Sequence, residues 1–264
     1  MPAALLAALA AMATPSPCGN AEALLIHARA ALHARALPPY VVYTLTRADT
    51  LDGAPDAANS YALRVWYRTA DGAALTRRID GGRAGPLVFE RPRFDAALDP
   101  GPPTADIFEP APPRARAQAT AAPVDSLRTI GVVRTPVEID YRAEAVECDS
   151  ATVHLRLTAR RDPDRNRLRD VWLDRKTIEV QRFVADDRLY DGQTDLWVPD
   201  VFDATLERVG DLRVISTIHG DAVGLGGARS QSAYRFEAIA FPPAVPDWYF
   251  EPGTYGAHAK DAPQ

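Results

Sequence analysis

The residues from 152 to 184 carry the clearest hydrophobic pattern in the chain. Val153, Leu155 and Leu157 alternate with polar residues, which is the two-residue period of a β-strand with one buried face. A polar turn follows, and after it come two more short runs rich in β-branched and aromatic residues, at 168–173 and 178–184. This pattern predicts three consecutive antiparallel strands that pack one face on a core.

Other parts of the chain show the same alternation of apolar and polar residues. They predict further strands at 40–46, 61–67, 73–79, 137–146, 201–208, 212–219 and 234–241. Together with the first three, these give roughly ten or eleven strands, a number at which an open antiparallel sheet curls strongly or closes.

One segment shows a clear helical period. Asn20 is a suitable N-cap residue, and apolar residues recur at helical spacing over 24–36, before the pair Pro38-Pro39. We predict a helix from about Ala21 to Leu37, because prolines stop a helix. One helix cannot cover a sheet of this size, so the apolar face of the sheet needs further cover.

The segment 99–123 is rich in proline and alanine and has little periodicity. So many prolines exclude a central strand, and we predict a long loop. Ile107 and Phe108 are the apolar exceptions inside it. We expect them to dock the loop onto the body of the protein; the functional alternative is that they cover the mouth of a cavity.

Composition fits one globular domain, expected at 14–264. The chain has 264 residues, of which 47% are hydrophobic and 25% charged, and this suffices for a substantial core. The net charge is −5, and the arginines are interspersed with acids. A nucleic-acid partner is therefore not expected, because such proteins carry clustered basic charge.

The first residues resemble an export signal. Residues 3–12 form an apolar run too short to span a bilayer, and Ala11 and Ala13 fit a small-x-small cleavage site. We therefore expect a signal peptide at 1–13 and a periplasmic or secreted protein. No Lys or Arg precedes the run, so an alanine-rich tail without a signal role is the alternative.

The chain has two cysteines, Cys18 and Cys148. In an oxidising compartment this even number favours a disulfide, which would tie the start of the mature chain to the strand near 141–146. Two alternatives stay open: Cys18 could carry a lipid, or both thiols could be unpaired.

The inner face of the curved sheet is predicted to be apolar. We expect its wall to consist of Leu63, Val65, Leu155, Leu157, Val171, Ile178, Val180 and Phe236. The helix would cover this wall as a lid through Leu24, Leu25, Ala28 and Leu32. An unfilled interior would bind an apolar ligand, whereas a sandwich or a closed barrel with a filled core would need none.

Three stretches of this sequence resemble the bacterial lipoprotein-carrier superfamily, the group of LolA, LolB and RseB. They are residues 154–157, the hairpin at 171–180 with Asp174 and Thr177, and the closing segment 246–252. The resemblance implies a mainly β fold: a strongly curved antiparallel sheet that forms an unclosed half-barrel and encloses acyl chains beneath helices. Here the N-terminal helix and the long Pro-rich loop would be the cover. The chain departs from the carriers in having that loop and a single obvious lid helix.

Residues suited to catalysis are few. The five histidines lack the spacing of a metal site, so we expect no metal and no cofactor. The pairs Asp186-Asp187 and Asp203/Glu207 could act as acid and base, although acids in such places are usually solvated.

We therefore expect a non-catalytic carrier or receptor for a lipid, an acyl chain or a lipoprotein. An envelope sensor or interaction module on the same fold is the first alternative, and an uncharacterised hydrolase is the second. Contact with a membrane surface is a further expectation, and the oligomeric state is left open.

Overall fold

The computed structural model describes residues 18–82, 87–89, 102–108, 140–191, 196–224 and 227–261 of the chain. The expected signal peptide at 1–13 lies outside these residues. So do most of the Pro-rich loop at 99–123 and the first part of the strand predicted at 137–146.

The described residues are mainly β. The strands are β1 (Tyr40–Leu51), β2 (Ala54–Pro55), β3 (Tyr61–Arg68), β4 (Ala74–Gly81), β5 (Leu87–Val88), β6 (Tyr141–Cys148), β7 (Thr152–Ala159), β8 (Leu168–Asp174), β9 (Val180–Asp191), β10 (Leu196–Val209), β11 (Leu212–Val223) and β12 (Arg229–Ala240). The helices are α1 (Ala21–Ala34) and α2 (Pro252–His258), and a 3-10 turn at Asp247–Phe250 precedes α2. None of the helices in the described residues is long and apolar enough to cross a membrane.

The twelve strands form one antiparallel sheet. Their order is β5-β4-β3-β1-β12-β11-β10-β9-β8-β7-β6, and β2 pairs with β1. Most neighbours follow each other in the chain, but β1 pairs with β12 and so joins the first strands to the last. Because β5 and β6 stand at opposite ends of this order, the sheet is unclosed within the described residues. The predicted fold, a mainly β unclosed half-barrel with an N-terminal helix, is confirmed.

The meander predicted at 152–184 forms β7, β8 and β9. Its second hairpin turns at Asp174, whose side chain accepts hydrogen bonds from the backbone N–H groups of Lys176 (2.9 Å) and Thr177 (3.0 Å). Ile178 has a φ of 60°, a left-handed conformation that is rare for a β-branched residue. The third strand therefore begins at Val180, two residues later than predicted, because Ile178 still belongs to the turn.

The helix α1 begins where the sequence predicts. The side chain of Asn20 accepts a hydrogen bond from the backbone N–H of Ala23 at 3.1 Å, as an N-cap residue does. The helix ends at Ala34, three residues before the predicted end at Leu37. Arg35 is already extended, with a ψ of 134°, and its side chain bonds to other segments instead of continuing the helix.

Apolar side chains pack on both faces of the sheet. We call the face that packs on α1 the inner face and the opposite one the outer face. The larger core lies between the inner face and α1. A smaller core on the outer face joins residues of β1, β3 and β4 to the C-terminal segment; its buried members are Val42, Trp66, Leu75, Val245, Tyr249 and Phe250. The 3-10 turn and α2 that shape this segment were not predicted.

Candidate functional site

The structure brings the predicted wall residues together on the inner face. Val65, Leu155 and Val171 are fully buried, and Ile178 is partly buried. The other four, Leu63, Leu157, Val180 and Phe236, are buried in the same core. This convergence follows from the strand register, since Leu155 pairs with Val171 and the inward positions repeat every second residue.

The predicted lid residues face this wall. Leu25 and Ala28 of α1 are buried in the core, and Leu24 and Leu32 are partly buried against it. Of three concavities that described residues line, none includes a wall residue. The buried residues of α1 therefore belong to the same core as the wall, and α1 covers the part of the wall that they contact.

Polar contacts hold the two ends of α1. At its start, Glu22 forms an ion pair with Arg160 at 2.5 Å. After its end, the guanidinium of Arg35 donates to the backbone carbonyls of Thr104 (2.5 Å) and Arg213 (2.8 Å). Burial lowers the pKa of Arg35, and the nearby carboxylate of Asp106 partly opposes this effect.

The described part of the Pro-rich loop, 102–108, packs beside the end of α1. Phe108 is buried in the inner core and Ile107 is partly buried against it, so they dock the loop onto the body. The backbone N–H of Ile215 donates to the carbonyl of Pro103 at 2.8 Å. His33 lies 2.5 Å from Asp106, which ties the loop to α1 as well.

Cys18 and Cys148 form a disulfide, with their Cα atoms 5.7 Å apart. Cys18 lies three residues before α1 begins, and Cys148 is the last residue of β6. The bond therefore fixes the start of α1 to one end of the sheet. It also suits an oxidising compartment, as expected for an exported protein.

An ion pair on the inner face was missed by the sequence analysis. Arg47 and Asp49 form two parallel hydrogen bonds of 2.7 and 2.6 Å, and their side chains are only 12% and 6% exposed. The guanidinium also lies over the ring of Tyr234, 5.2 Å from its centroid. One end of the apolar wall thus carries a buried, mutually neutralised pair of charges.

The outer face carries a polar network around Trp172. The imidazole of His154 stacks on the indole with the ring centroids 4.3 Å apart, and the guanidinium of Arg182 lies 4.3 Å from the indole centroid. His154 also lies 2.8 Å from the carboxylate of Asp170. Among the described residues, no group of three His, Cys, Asp or Glu side chains is placed to hold a metal.

The candidate acid–base residues face arginines. The carboxylate of Asp186 accepts a hydrogen bond from Arg169 at 2.9 Å, and that of Asp203 accepts one from Arg182 at 2.8 Å. Glu207 is exposed, and the side chain of Asp187 lies outside the described residues. Ion pairs of this kind with arginine are typical of a solvated face of a sheet.

A shallow concavity of about 930 Å³ lies on the outer face. Residues of β1, β8, β10, β11 and β12 line it, and its charged lining residues are Arg169, Asp203, Asp221 and Arg229. Asp221 and Arg229 pair with each other, so this surface carries little unbalanced charge.

Acid is expected to weaken the network at Asp170. Burial alone would raise the pKa of this carboxyl, but the hydrogen bonds from His154 and Arg169 outweigh it, so the pKa is lowered. A carboxyl whose pKa is lower in the folded than in the unfolded protein stabilises the fold at pH values above its unfolded pKa. This contribution is lost as the pH falls below about 4. We therefore expect Asp170→Asn to lose less thermal stability than the wild type between neutral pH and about pH 3.

Melting temperatures of both proteins at the two pH values test this expectation. An equal loss in the variant and in the wild type would contradict it.

Comparisons with known proteins find similar structures but no matching sequence family. No family model matches the chain, and no curated protein matches it. A LolA superfamily protein from Nitrosomonas europaea is 12% identical, with 88% of this chain and 98% of that one covered and a TM-score of 0.41. A DUF1329 family protein from Desulfovibrio piger is 11% identical, with 89% and 98% covered and a TM-score of 0.44.

The MucA/MucB complex from Pseudomonas aeruginosa is a third similar structure. The matched chain is 13% identical, with 84% of this chain and 94% of that one covered and a TM-score of 0.23. The superfamily that the sequence resembles is thus also named among the similar solved structures.

Proposed function

We propose that this protein is a non-catalytic carrier or receptor that binds a lipid, an acyl chain or a lipoprotein between its inner face and α1. One observation carries the proposal. The apolar inner face of an unclosed twelve-stranded sheet is covered by a helix of 14 residues that fully buries only two of its side chains, Leu25 and Ala28. A cover that buries so little can be exchanged for a ligand.

The magnitudes support such an exchange. Burial of a leucine side chain contributes about 1.5–3 kcal/mol, and that of an alanine methyl contributes less. An acyl chain gains about 0.8 kcal/mol for each buried CH₂ group, so ten such groups would contribute about 8 kcal/mol. This gain in free energy is larger than the loss of the Leu25 and Ala28 contacts. The difference can also offset the loss of polar contacts at the ends of α1.

The carboxylates of the predicted hydrolase alternative serve ion pairs in this proposal. Asp186 and Asp203 each face an arginine on the outer face, away from the wall. We assign them to the stability of the sheet and not to acid–base chemistry. Export to the periplasm or the cell exterior, where the disulfide would form, completes the proposal.

An envelope sensor or interaction module on the same fold is the second candidate. The filled inner face favours it, because a core packed on α1 needs no ligand. A protein of this kind would keep α1 closed and use its outer surface.

Two measurements separate these candidates. Native mass spectrometry with lipid extraction, on protein purified from its own host, would show a bound lipid directly. Titration with a fluorescent fatty acid would then compare Leu24→Ser with Ile26→Ser. Both positions lie on α1, but Leu24 faces the wall and Ile26 is 55% exposed.

We expect Leu24→Ser to weaken fatty-acid binding about five- to tenfold, the equivalent of about 1 kcal/mol of lost apolar contact. Ile26→Ser should bind like the wild type. If the wild type carries no lipid and takes up no fatty acid with its disulfide either intact or reduced, the carrier proposal fails and the sensor takes its place.

A further inference from the structure

The end of α1 is tied to the sheet by the chain itself. Only Arg35, Ala36 and Leu37 separate α1 from Pro38 and Pro39, which lead into β1. The hydroxyl of Thr69 donates to the carbonyl of Pro38 at 2.6 Å, and the backbone N–H of Thr69 donates to the carbonyl of Pro39 at 2.9 Å. This end of α1 therefore has a short, pinned connection to the sheet.

The start of α1 has a different attachment. Its covalent link to the sheet is the bond between Cys18 and Cys148, which spans 130 residues of sequence. The non-covalent contacts near it include the Glu22–Arg160 pair, whose side chains are 48% and 52% exposed. Exposed pairs of this kind hold a helix only weakly.

We propose that the Cys18–Cys148 disulfide is a redox-operated clasp for α1. When the bond is intact, α1 is fixed at both ends and covers the inner face. When the bond is reduced, the Cys18 end of α1 swings away about the pinned connection at 36–39, and the wall becomes accessible. The clasp goes beyond the proposed function, because it concerns how the position of α1 is controlled and not what the protein binds. It can be tested without a ligand.

The position of Cys148 leaves the strand pairing intact when the bond is reduced. It is the last residue of β6, and β6 stands at one end of the strand order and pairs only with β7 among the described strands. Cys18 lies outside the sheet altogether. Reduction therefore removes no hydrogen bond between strands.

The chemistry is an ordinary thiol–disulfide exchange with a dithiol. One thiolate of the dithiol attacks a sulfur of the Cys18–Cys148 bond and forms a mixed disulfide, and the second thiol then displaces the remaining cysteine. Cys18 and Cys148 each gain one hydrogen, and the dithiol is oxidised to a disulfide. Both cysteines are only partly buried, which leaves the bond open to attack.

Hydrogen exchange measured by mass spectrometry tests the clasp in the ligand-free protein. Dithiothreitol should accelerate exchange in α1 at least about tenfold more than in β10, β11 and β12, whose exchange through global unfolding also rises when the cross-link is lost. Cys18→Ser and Cys148→Ser should each show fast exchange in α1 without dithiothreitol, and dithiothreitol should not change it further. An apolar dye that fluoresces on exposed hydrophobic surface should bind more strongly to the reduced protein.

Three results would overturn the clasp. The first is unchanged exchange in α1 after reduction. The second is equal acceleration in β10 to β12, which would make the bond a general staple of the fold. The third is an effect of dithiothreitol that persists in the serine variants. Because no fatty acid is present, failure of the clasp is distinguished from failure of lipid binding.

Discussion

Leu155→Ala is expected to lower the free energy of unfolding by about 3–5 kcal/mol. Leu155 is fully buried, and it lies in the inner core opposite its cross-strand partner Val171. Truncation to alanine removes apolar contacts and leaves a cavity that the surrounding strands cannot close, because they are held by hydrogen bonds to their neighbours. Urea denaturation of the oxidised protein, followed by fluorescence, measures the change.

Leu51→Ala provides the matched control. Leu51 is also a leucine on a strand, but it is 51% exposed, so its truncation should change stability by no more than about 0.5 kcal/mol. A cost below about 1 kcal/mol at Leu155 would contradict the packed inner face. It would mean that the wall is loose enough for a ligand to enter without movement of α1.

The strands and the wall were predictable because both follow from the two-residue period. Val153, Leu155 and Leu157 alternate with polar residues, so their side chains must share one face of β7. Once the hairpins set the register, the inward residues of neighbouring strands lie side by side. The alternation along each strand was therefore enough to predict that the wall residues lie together.

The full length of the later strands was not predictable in this way. The predicted strands span 201–208 and 234–241, whereas β10 spans Leu196–Val209 and β12 spans Arg229–Ala240. The start of β12, at 229–232, is polar throughout and shows no alternation. It forms a strand because β1 and β11 flank it and supply hydrogen bonds on both sides, which is a tertiary effect.

The contacts at the end of α1 could not be predicted from the sequence either. Arg35 was predicted to lie in the helix, but its guanidinium donates hydrogen bonds to the backbone carbonyls of Thr104 and Arg213. Those partners lie 69 and 178 residues away, so no local pattern could have indicated them. The disulfide could be suggested from the number of cysteines, but the consequence of its position for α1 required the fold.

The buried pair of Arg47 and Asp49 did leave a signal in the sequence. The inward positions of β1 continue from Tyr43 and Leu45 to Arg47 and Asp49, so two opposite charges fall on one face, two residues apart. The predicted strand ends at 46, where the apolar alternation stops. The strand continues to Leu51, because β3 pairs with it as far as Arg47, β12 pairs with it as far as Leu51, and β2 pairs with its last two residues.

Removing one partner of this pair is expected to be costly. Asp49→Ala leaves the guanidinium of Arg47 in a site where its side chain is 12% exposed, without its two hydrogen bonds to the carboxylate. Loss of one member of a buried pair typically costs about 3–5 kcal/mol, because the remaining charge loses an opposite charge in a site that water barely reaches. Urea denaturation should show this loss at neutral pH.

Asp203→Ala is the control, since the pair of Asp203 with Arg182 is 37% and 45% exposed and should be worth no more than about 1 kcal/mol. The double variant Arg47→Met/Asp49→Ala then separates two explanations. If the cost of Asp49→Ala comes from the loss of the carboxylate beside the guanidinium, the double variant should recover most of the lost stability, because methionine fills the space of the arginine stem beside Tyr234 without a charge. If the double variant is as unstable as Asp49→Ala, the loss comes instead from the packing of the Asp49 side chain itself, which is 6% exposed.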